Sequence, residues 1–194
     1  MQLTNQSHSI HAPVTCFQND ALSVYIYASP QDMASAAACE VSAYLQTLLT
    51  KQAQVAAIFA TGNSQVEFLK RLVALGGVEW PRVTLFHMDE YLGISADHKA
   101  SFRKYMRERV ERLVQPRAFH YLEGDTLEPI AECDRYTELL QAQQIDLCCL
   151  GIGENGHLAF NDPPVANFED KRAVKIVQLD LACKQQQVRE GHFP

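Results

Sequence analysis

The sequence predicts an α/β fold in which a mainly parallel sheet carries helices on both faces, making three layers. Three observations predict it. Short strand-like runs alternate with segments whose apolar residues recur at helical spacing. Ile145–Leu150 reads as an apolar strand of the kind buried in parallel sheets. Polar or glycine-rich loops follow three of the strand-like runs, at 61–64, 89–91 and 151–162.

Taken in order, Ser23–Ala28 is β-rich and reads as the first strand. Asp32–Lys51 places Ala37, Val41, Tyr44, Leu45, Leu48 and Leu49 on one helical face. Val55–Ala60 is a buried strand, and Thr61–Ser64 turns into a helix carrying Val66, Leu69, Leu72 and Val73, which Gly76 and Gly77 end. Val83–Met88 is the next strand. Ser101 is a suitable N-cap for a helix bearing Phe102, Tyr105, Met106, Val110 and Leu113. A short strand at Phe119–Leu122, a helix at Leu127–Gln143, the strand Ile145–Leu150 and a last strand at Ala173–Leu179 complete the series. The sum is a Rossmann-like three-layer arrangement in a single domain spanning residues 1–194. Residues 162–170 form a loop that can act as a lid.

A chain of 194 residues can bury a full core. Its net charge of −6 argues against a nucleic-acid partner, which needs a basic face. The polar stretch Met1–Thr15 has no apolar signal-peptide region, and no apolar run is long enough to span a membrane. Cys16, Cys39, Cys133, Cys148, Cys149 and Cys183 include no C-x-x-C pair and read as buried or half-buried reduced thiols, in keeping with a cytoplasmic location. Cys148 and Cys149 are expected on opposite faces of their strand.

In parallel sheets the ligand site lies beyond the carboxyl ends of the strands, which selects the three loops. Thr61-Gly62-Asn63-Ser64 precedes a helix whose free N–H groups suit a phosphate, although a tight strand-to-helix turn needs glycine and a cap in any case. Asp89 and Glu90 follow a strand directly. A carboxylate held there can move a proton between neighbouring carbons, and a surface acidic pair or helix cap is the structural alternative. A metal at His87, Asp89 and Glu90 finds no matching His/Cys cluster elsewhere, so no metal site is expected. Gly151-Ile-Gly-Glu-Asn-Gly156 spells the G-x-G-x-x-G pattern of dinucleotide sites, but Asn161-Asp162-Pro163-Pro164 would break the helix that pattern requires. What remains is a glycine-rich loop presenting His157, with Asp162 placed to orient it as a proton shuttle. No G-x-S-x-G or cysteine–histidine nucleophile competes, and no lysine lies in the three loops.

Ala60–Ser64, Phe86-His-Met-Asp-Glu-Tyr-Leu-Gly93 and Gly151-Ile-Gly-Glu-Asn-Gly-His-Leu-Ala-Phe-Asn-Asp-Pro163 together resemble the glucosamine-6-phosphate deaminase (isomerase) family. The related 6-phosphogluconolactonases carry Asp-Glu-Arg at the second motif and Asp-Gly-His-Thr-Ala-Ser-Leu-Phe at the third, so both motifs favour the deaminase branch. The resemblance implies conversion of glucosamine 6-phosphate and water to fructose 6-phosphate and ammonium, with no metal or organic cofactor. It implies that His157 assists ring opening, with Asn155 beside it, that Asp89 carries the proton from C2 to C1, and that Asp162 orients His157. It places Thr61, Gly62, Asn63, Ser64 and Gly156 against the substrate. Gln187 stands where many members hold the phosphate with arginine, and Lys184 or Arg189 are the substitutes on offer. It further implies a small sugar phosphate as partner and a chain that lacks the C-terminal part of the fold, in a family whose members often assemble into homo-oligomers. A lactonase-like hydrolase and a non-catalytic sugar-phosphate sensor are the alternatives.

Overall fold

The computed structural model of the protein describes residues 12–189. The N-terminal stretch read for a signal peptide lies largely outside them, as does the final Gly191–Pro194. Four strands form the main sheet: β3 (Val55–Phe59), β4 (Val83–His87), β5 (Ala118–His120) and β6 (Leu147–Cys149), after a preceding hairpin of β1 (Thr15–Asn19) and β2 (Leu22–Ile26). The main sheet runs in the order β5-β4-β3-β6 with every pairing parallel. β2 was expected to open this sheet. It instead pairs antiparallel with β1, Thr15 opposite Ile26, across a tight turn in which Asp20 takes a positive φ of 50°.

Alternation along the strands separates two apolar layers. Val55, Ala57, Phe59, Val83 and Leu85 face one way, into a core with α1 (Pro30–Lys51), α2 (Asn63–Leu75) and the Met106 and Val110 side chains. Ala56 and Phe86 face the other way, against Tyr136 of α5 (Pro129–Gln141), with Ile58, Leu139 and Leu140 at the margin. Helices therefore cover both faces, as expected. The first layer is the larger, because three helical segments pack on it and only α5 covers the second.

Local rules explain most element bounds. Ser29 caps α1 by accepting from the Asp32 amide at 3.1 Å, and Pro30 occupies its first turn, two residues ahead of the expected start. Ser101 caps α3 (Phe102–Met106) as expected, accepting from Lys104 at 3.3 Å. That helix continues through a π-helical turn, Arg107–Glu111, into the short α4 (Arg112–Val114), and ends at Gln115 with φ 51°. β6 is shorter than expected because Asp146 interrupts the run; its carboxylate accepts from the Ala56 amide at 2.9 Å.

Two expectations need correction. Ala173–Leu179 forms no strand: it has no ladder with β6, and Val174 instead packs on the second core layer. The following segment is a helix, α6 (Leu181–Arg189), capped at its start by Asp180, whose carboxylate accepts from the Cys183 amide at 2.7 Å. The thiols also differ from expectation, since Cys16 and Cys148 are exposed. Cys16 lies on the hairpin, and Cys148 points from the edge strand toward the thinly covered face. Cys149 packs into the first layer, so the two adjacent thiols do take opposite faces.

Tyr136 ties the second layer to the end of β4. Its hydroxyl accepts from the His87 amide at 3.1 Å and donates toward the His87 and His120 carbonyls at 2.9 and 3.1 Å. Tyr136→Phe leaves that buried amide without an acceptor and is expected to cost about 1–3 kcal/mol of stability, read from the shift of the urea midpoint at unchanged slope.

Candidate active site

The chain passes from β3 to β4 to β5 on one side, then returns to place β6 on the other side of β3. That reversal makes the carboxyl ends of β3 and β6 a switch point, where the two following loops diverge and leave a crevice. Because β4, β3 and β6 are neighbours, the loops after them lie side by side. A cavity of about 190 Å³ opens there, lined by Thr61, Gly62, Asn63 and Ser64 after β3, Met88 and Asp89 after β4, Gly151–Gly153 and His157 after β6, and Gln186 and Gln187 of α6. Of the expected site residues, Asn155, Gly156 and Asp162 are outside this lining. Asn155 and Asp162 stand behind His157.

The wall after β3 is the start of α2. Gly62 precedes it with φ 106°, a conformation costly for any residue with a Cβ, and no side chain caps the helix. Asn63 and Ser64 of the first turn line the cavity, and an uncapped helix start favours an anion beside it.

The two adjacent carboxylates after β4 have separate roles. Glu90 is committed to structure. Its oxygens accept from Ser101 Oγ at 2.8 Å, the Phe102 and Arg103 amides at 3.1 and 3.0 Å, and Arg103 Nε at 3.3 Å. It caps α3 and neutralises a buried guanidinium, and its side chain is 2% exposed. Asp89 borders the cavity. Removal from bulk water, with the Glu90 charge next in importance, pushes its pKa up to about 7. Although packed protein surrounds most of the side chain, the residue is half-buried and opens on the cavity. His87 is held neutral, its pKa pushed down to about 3 by burial first and then by Arg103. Its Nε2 accepts from the Leu122 amide at 2.9 Å, so this ring serves the sheet rather than a metal.

His157 is held from behind. Its Nδ1 lies 2.6 Å from Asn155 Oδ1 and 3.0 Å from Asp162 Oδ1. Both facing atoms are acceptors, so Nδ1 carries the hydrogen and Nε2 the lone pair. The orientation of Asn155 follows from its own amide group, which donates to Asp162 at 2.9 Å and Asp180 at 3.0 Å. Asp162, 1% exposed, accepts with its other oxygen from the Asp180 amide at 2.8 Å. The network thereby joins the β6 loop to the first turn of α6. Farther along α6, the Gln187 side chain bonds the Tyr91 hydroxyl, and Tyr91 packs on Phe102 and Phe160 with ring centroids 4.8 and 5.6 Å away. Arg189 pairs with Glu154 and Lys184 is exposed; neither lines the cavity.

The G-x-G-x-x-G run opens no helix, in agreement with the sequence argument against a dinucleotide fold. Gly153 has a different use. A Cβ built on it would stand 2.1 Å from His157 Cε1, and the imidazole occupies the space that a side chain would need. Gly153→Ala is expected to rotate His157 out of place. Any reaction that depends on His157 should slow by about 100-fold, while the circular dichroism spectrum and urea midpoint stay close to the parent's.

Sequence reasoning picked out Asp89 and His157, with Asn155 and Asp162 beside the latter, but missed residues of the surrounding scaffold. Arg103, Tyr91 and Asp180 emerge only in three dimensions, as does the bond from Ser101 to Glu90, although Asp180 ahead of Leu-Ala-Cys carries a helix-cap signal.

Residues 28–189 match the family described as glucosamine-6-phosphate isomerases/6-phosphogluconolactonase. Glucosamine-6-phosphate deaminase 2 of Bacillus subtilis (strain 168) is 37% identical over 129 residues, covering 63% of this chain and 51% of that protein. Glucosamine-6-phosphate deaminase of Shewanella loihica is 34% identical over 140 residues, covering 69% and 52%. The chain thus spans about half the length of the curated relatives it matches. Among solved structures, a monomeric glucosamine-6-phosphate deaminase superposes with a TM-score of 0.76 at 25% identity, over 86% of this chain and 68% of that one. A 6-phosphogluconolactonase from Shewanella baltica OS155 superposes at 0.61 with 21% identity, over 67% of this chain and 56% of that one, a likeness of fold. No helix among the described residues is long and apolar enough to cross a membrane.

Proposed function

The chain belongs to the family of glucosamine-6-phosphate isomerases and 6-phosphogluconolactonases, and we propose that it carries the deaminase chemistry of that family. In this reading it converts glucosamine 6-phosphate and water to fructose 6-phosphate and ammonium, within a single domain in the cytoplasm. The observation that carries the proposal is the pairing, around one crevice, of a carboxyl group poised near neutrality with an imidazole whose Nε2 lone pair is fixed from behind.

The chemistry follows from that pairing. His157 Nε2 takes the anomeric hydroxyl proton and returns a proton to the ring oxygen, which opens the pyranose. Asp162 stabilises the transient imidazolium and Asn155 keeps Nδ1 as its donor side. Asp89 then takes the proton from C2 while the substrate's own C2 ammonium gives a proton to O1, leaving an enamine enol, and Asp89 delivers its proton to C1. The C2 iminium so formed adds water and expels ammonium. A base with a pKa near 7 suits both halves of this transfer, since it accepts and releases protons with little bias. The phosphate is placed at the start of α2, on the Thr61–Ser64 amides and hydroxyls, with Gln187 at the opposite wall.

Two assays on the purified 194-residue chain test this. Ammonium release from glucosamine 6-phosphate supports the proposal. Hydrolysis of 6-phosphogluconolactone with no ammonium release would replace it with the lactonase reading, and sugar-phosphate binding without turnover of either would leave a sensor.

A further inference from the structure

Behind the crevice, three potential metal donors converge on one point. His157, Asp162 and Cys183 each present a ligand atom, and these atoms all lie within 4.8 Å of one another. They come from separate parts of the chain: the β6 loop, its end, and α6. Asp162 and Cys183 are each 1% exposed, and His157 stands between them and the cavity. Cys183 takes part in no disulfide. It lies outside the cavity lining, and the proton-transfer chemistry above makes no use of it.

We propose that His157 Nδ1, the Asp162 carboxylate and Cys183 Sγ form a binding site for zinc, and that zinc bound there switches His157 off. Imidazole, carboxylate and thiolate are the three donor types zinc accepts, and tetrahedral bonds of about 2.0–2.3 Å space donors about 3.5 Å apart. The Nδ1–Asp162 separation of 3.0 Å is already close to that, and the remaining spacing needs only a small inward movement of side chains. Charge also fits. One carboxylate and one thiolate bring a divalent ion to zero net charge, as a site shielded from water requires. Asn155 Oδ1, 2.6 Å from Nδ1, is positioned to act as a fourth donor.

The consequence for catalysis lies in the tautomer and rests on the proposed role of His157. As the sulfur–zinc bond forms, the thiol proton passes to solvent. As the Nδ1–zinc bond forms, the ring hydrogen is carried by Nε2 instead. The lone pair that would open the sugar ring is then gone, and Asp162 is drawn to the metal.

Binding is tested without reference to turnover. Zinc is titrated into the 194-residue chain against a chromophoric chelator, and cobalt(II) is substituted to reveal a thiolate-to-metal charge-transfer band in the near ultraviolet. One ion per chain is expected, with that band present. Cys183→Ser should abolish the band and weaken zinc binding by about 100-fold, whereas Cys148→Ser should change neither. A parent chain without the band would overturn the proposal whatever the variants do. So would zinc binding that survives Cys183→Ser or is lost in Cys148→Ser. Where the chain turns over substrate, zinc should inhibit the parent and leave Cys183→Ser, with its full basal rate, insensitive.

Discussion

Asp89→Asn is expected to lower turnover of glucosamine 6-phosphate by about 1000-fold, in the range general-base groups contribute, while substrate affinity changes only a few-fold. The amide keeps the shape of the side chain and removes its ability to take a proton from C2. The parent's rate should rise as pH climbs through about 7, where Asp89 loses its proton. The same group makes a stability prediction of definite sign. Its folded pKa lies above its ordinary value of 3.8, so the folded state holds a proton that the unfolded chain has released. Stability therefore falls as pH rises from about 4 to 7, by at most roughly 4 kcal/mol for the full shift, and by less because the carboxyl opens on the cavity. Asp89→Asn should lack this decline. Urea midpoints of parent and variant at pH 5 and 8 check it: the parent should lose more stability between them than the variant does.

Glu90→Gln is expected to do the reverse, with a loss of stability of about 3–5 kcal/mol as the buried pair with Arg103 is broken. The neighbouring carboxylate has five donors on its two oxygens, counting the Tyr91 amide at 3.0 Å, and Arg103 is itself 8% exposed at the side chain. An amide presents an NH₂ group to some of those donors and leaves the buried guanidinium to Asp125 at 2.8 Å and the Ile94 carbonyl at 3.0 Å. Activity at permissive temperature should survive better than in Asp89→Asn. A urea midpoint equivalent to less than 1 kcal/mol of loss would contradict the assignment of Glu90 to the scaffold.

The contrast between these neighbours shows what was legible in the sequence. Two carboxylates after a strand marked the place, but nothing in Asp-Glu-Tyr said which one faces the crevice. That depended on Ser101 and Arg103, eleven and thirteen residues away from Glu90, folding back over it. The parallel order of β3 and β4 was readable because Val55–Phe59 is apolar throughout and Val83–His87 departs from that only at Thr84 and His87. Ala173–Leu179 reads as a strand just as well, and fails because a ladder requires a neighbour that composition does not specify. α6 escaped notice for the opposite reason: half of Leu-Ala-Cys-Lys-Gln-Gln-Gln-Val is polar, and Cys183 is its one buried apolar residue. That helix supplies the thiol of the proposed zinc site, which adjacency in sequence could not reveal, since Cys183 is twenty-one residues beyond Asp162. The role of Gly153 was equally hidden. The glycine was visible as part of a G-x-G-x-x-G run, and only the position of the His157 ring explains why a side chain there is excluded.

In the proposed reaction Asp89 moves a proton between adjacent sugar carbons while His157 opens the ring. The most direct test follows a deuterium label placed at C2 of glucosamine 6-phosphate through the 194-residue chain by proton and deuterium NMR. The label is expected to leave C2, with part of it reappearing at C1 of fructose 6-phosphate and the rest in solvent, and Asp89→Asn should leave it in place. Ammonium release with the C2 label untouched, or label transfer that persists in Asp89→Asn, would contradict the account.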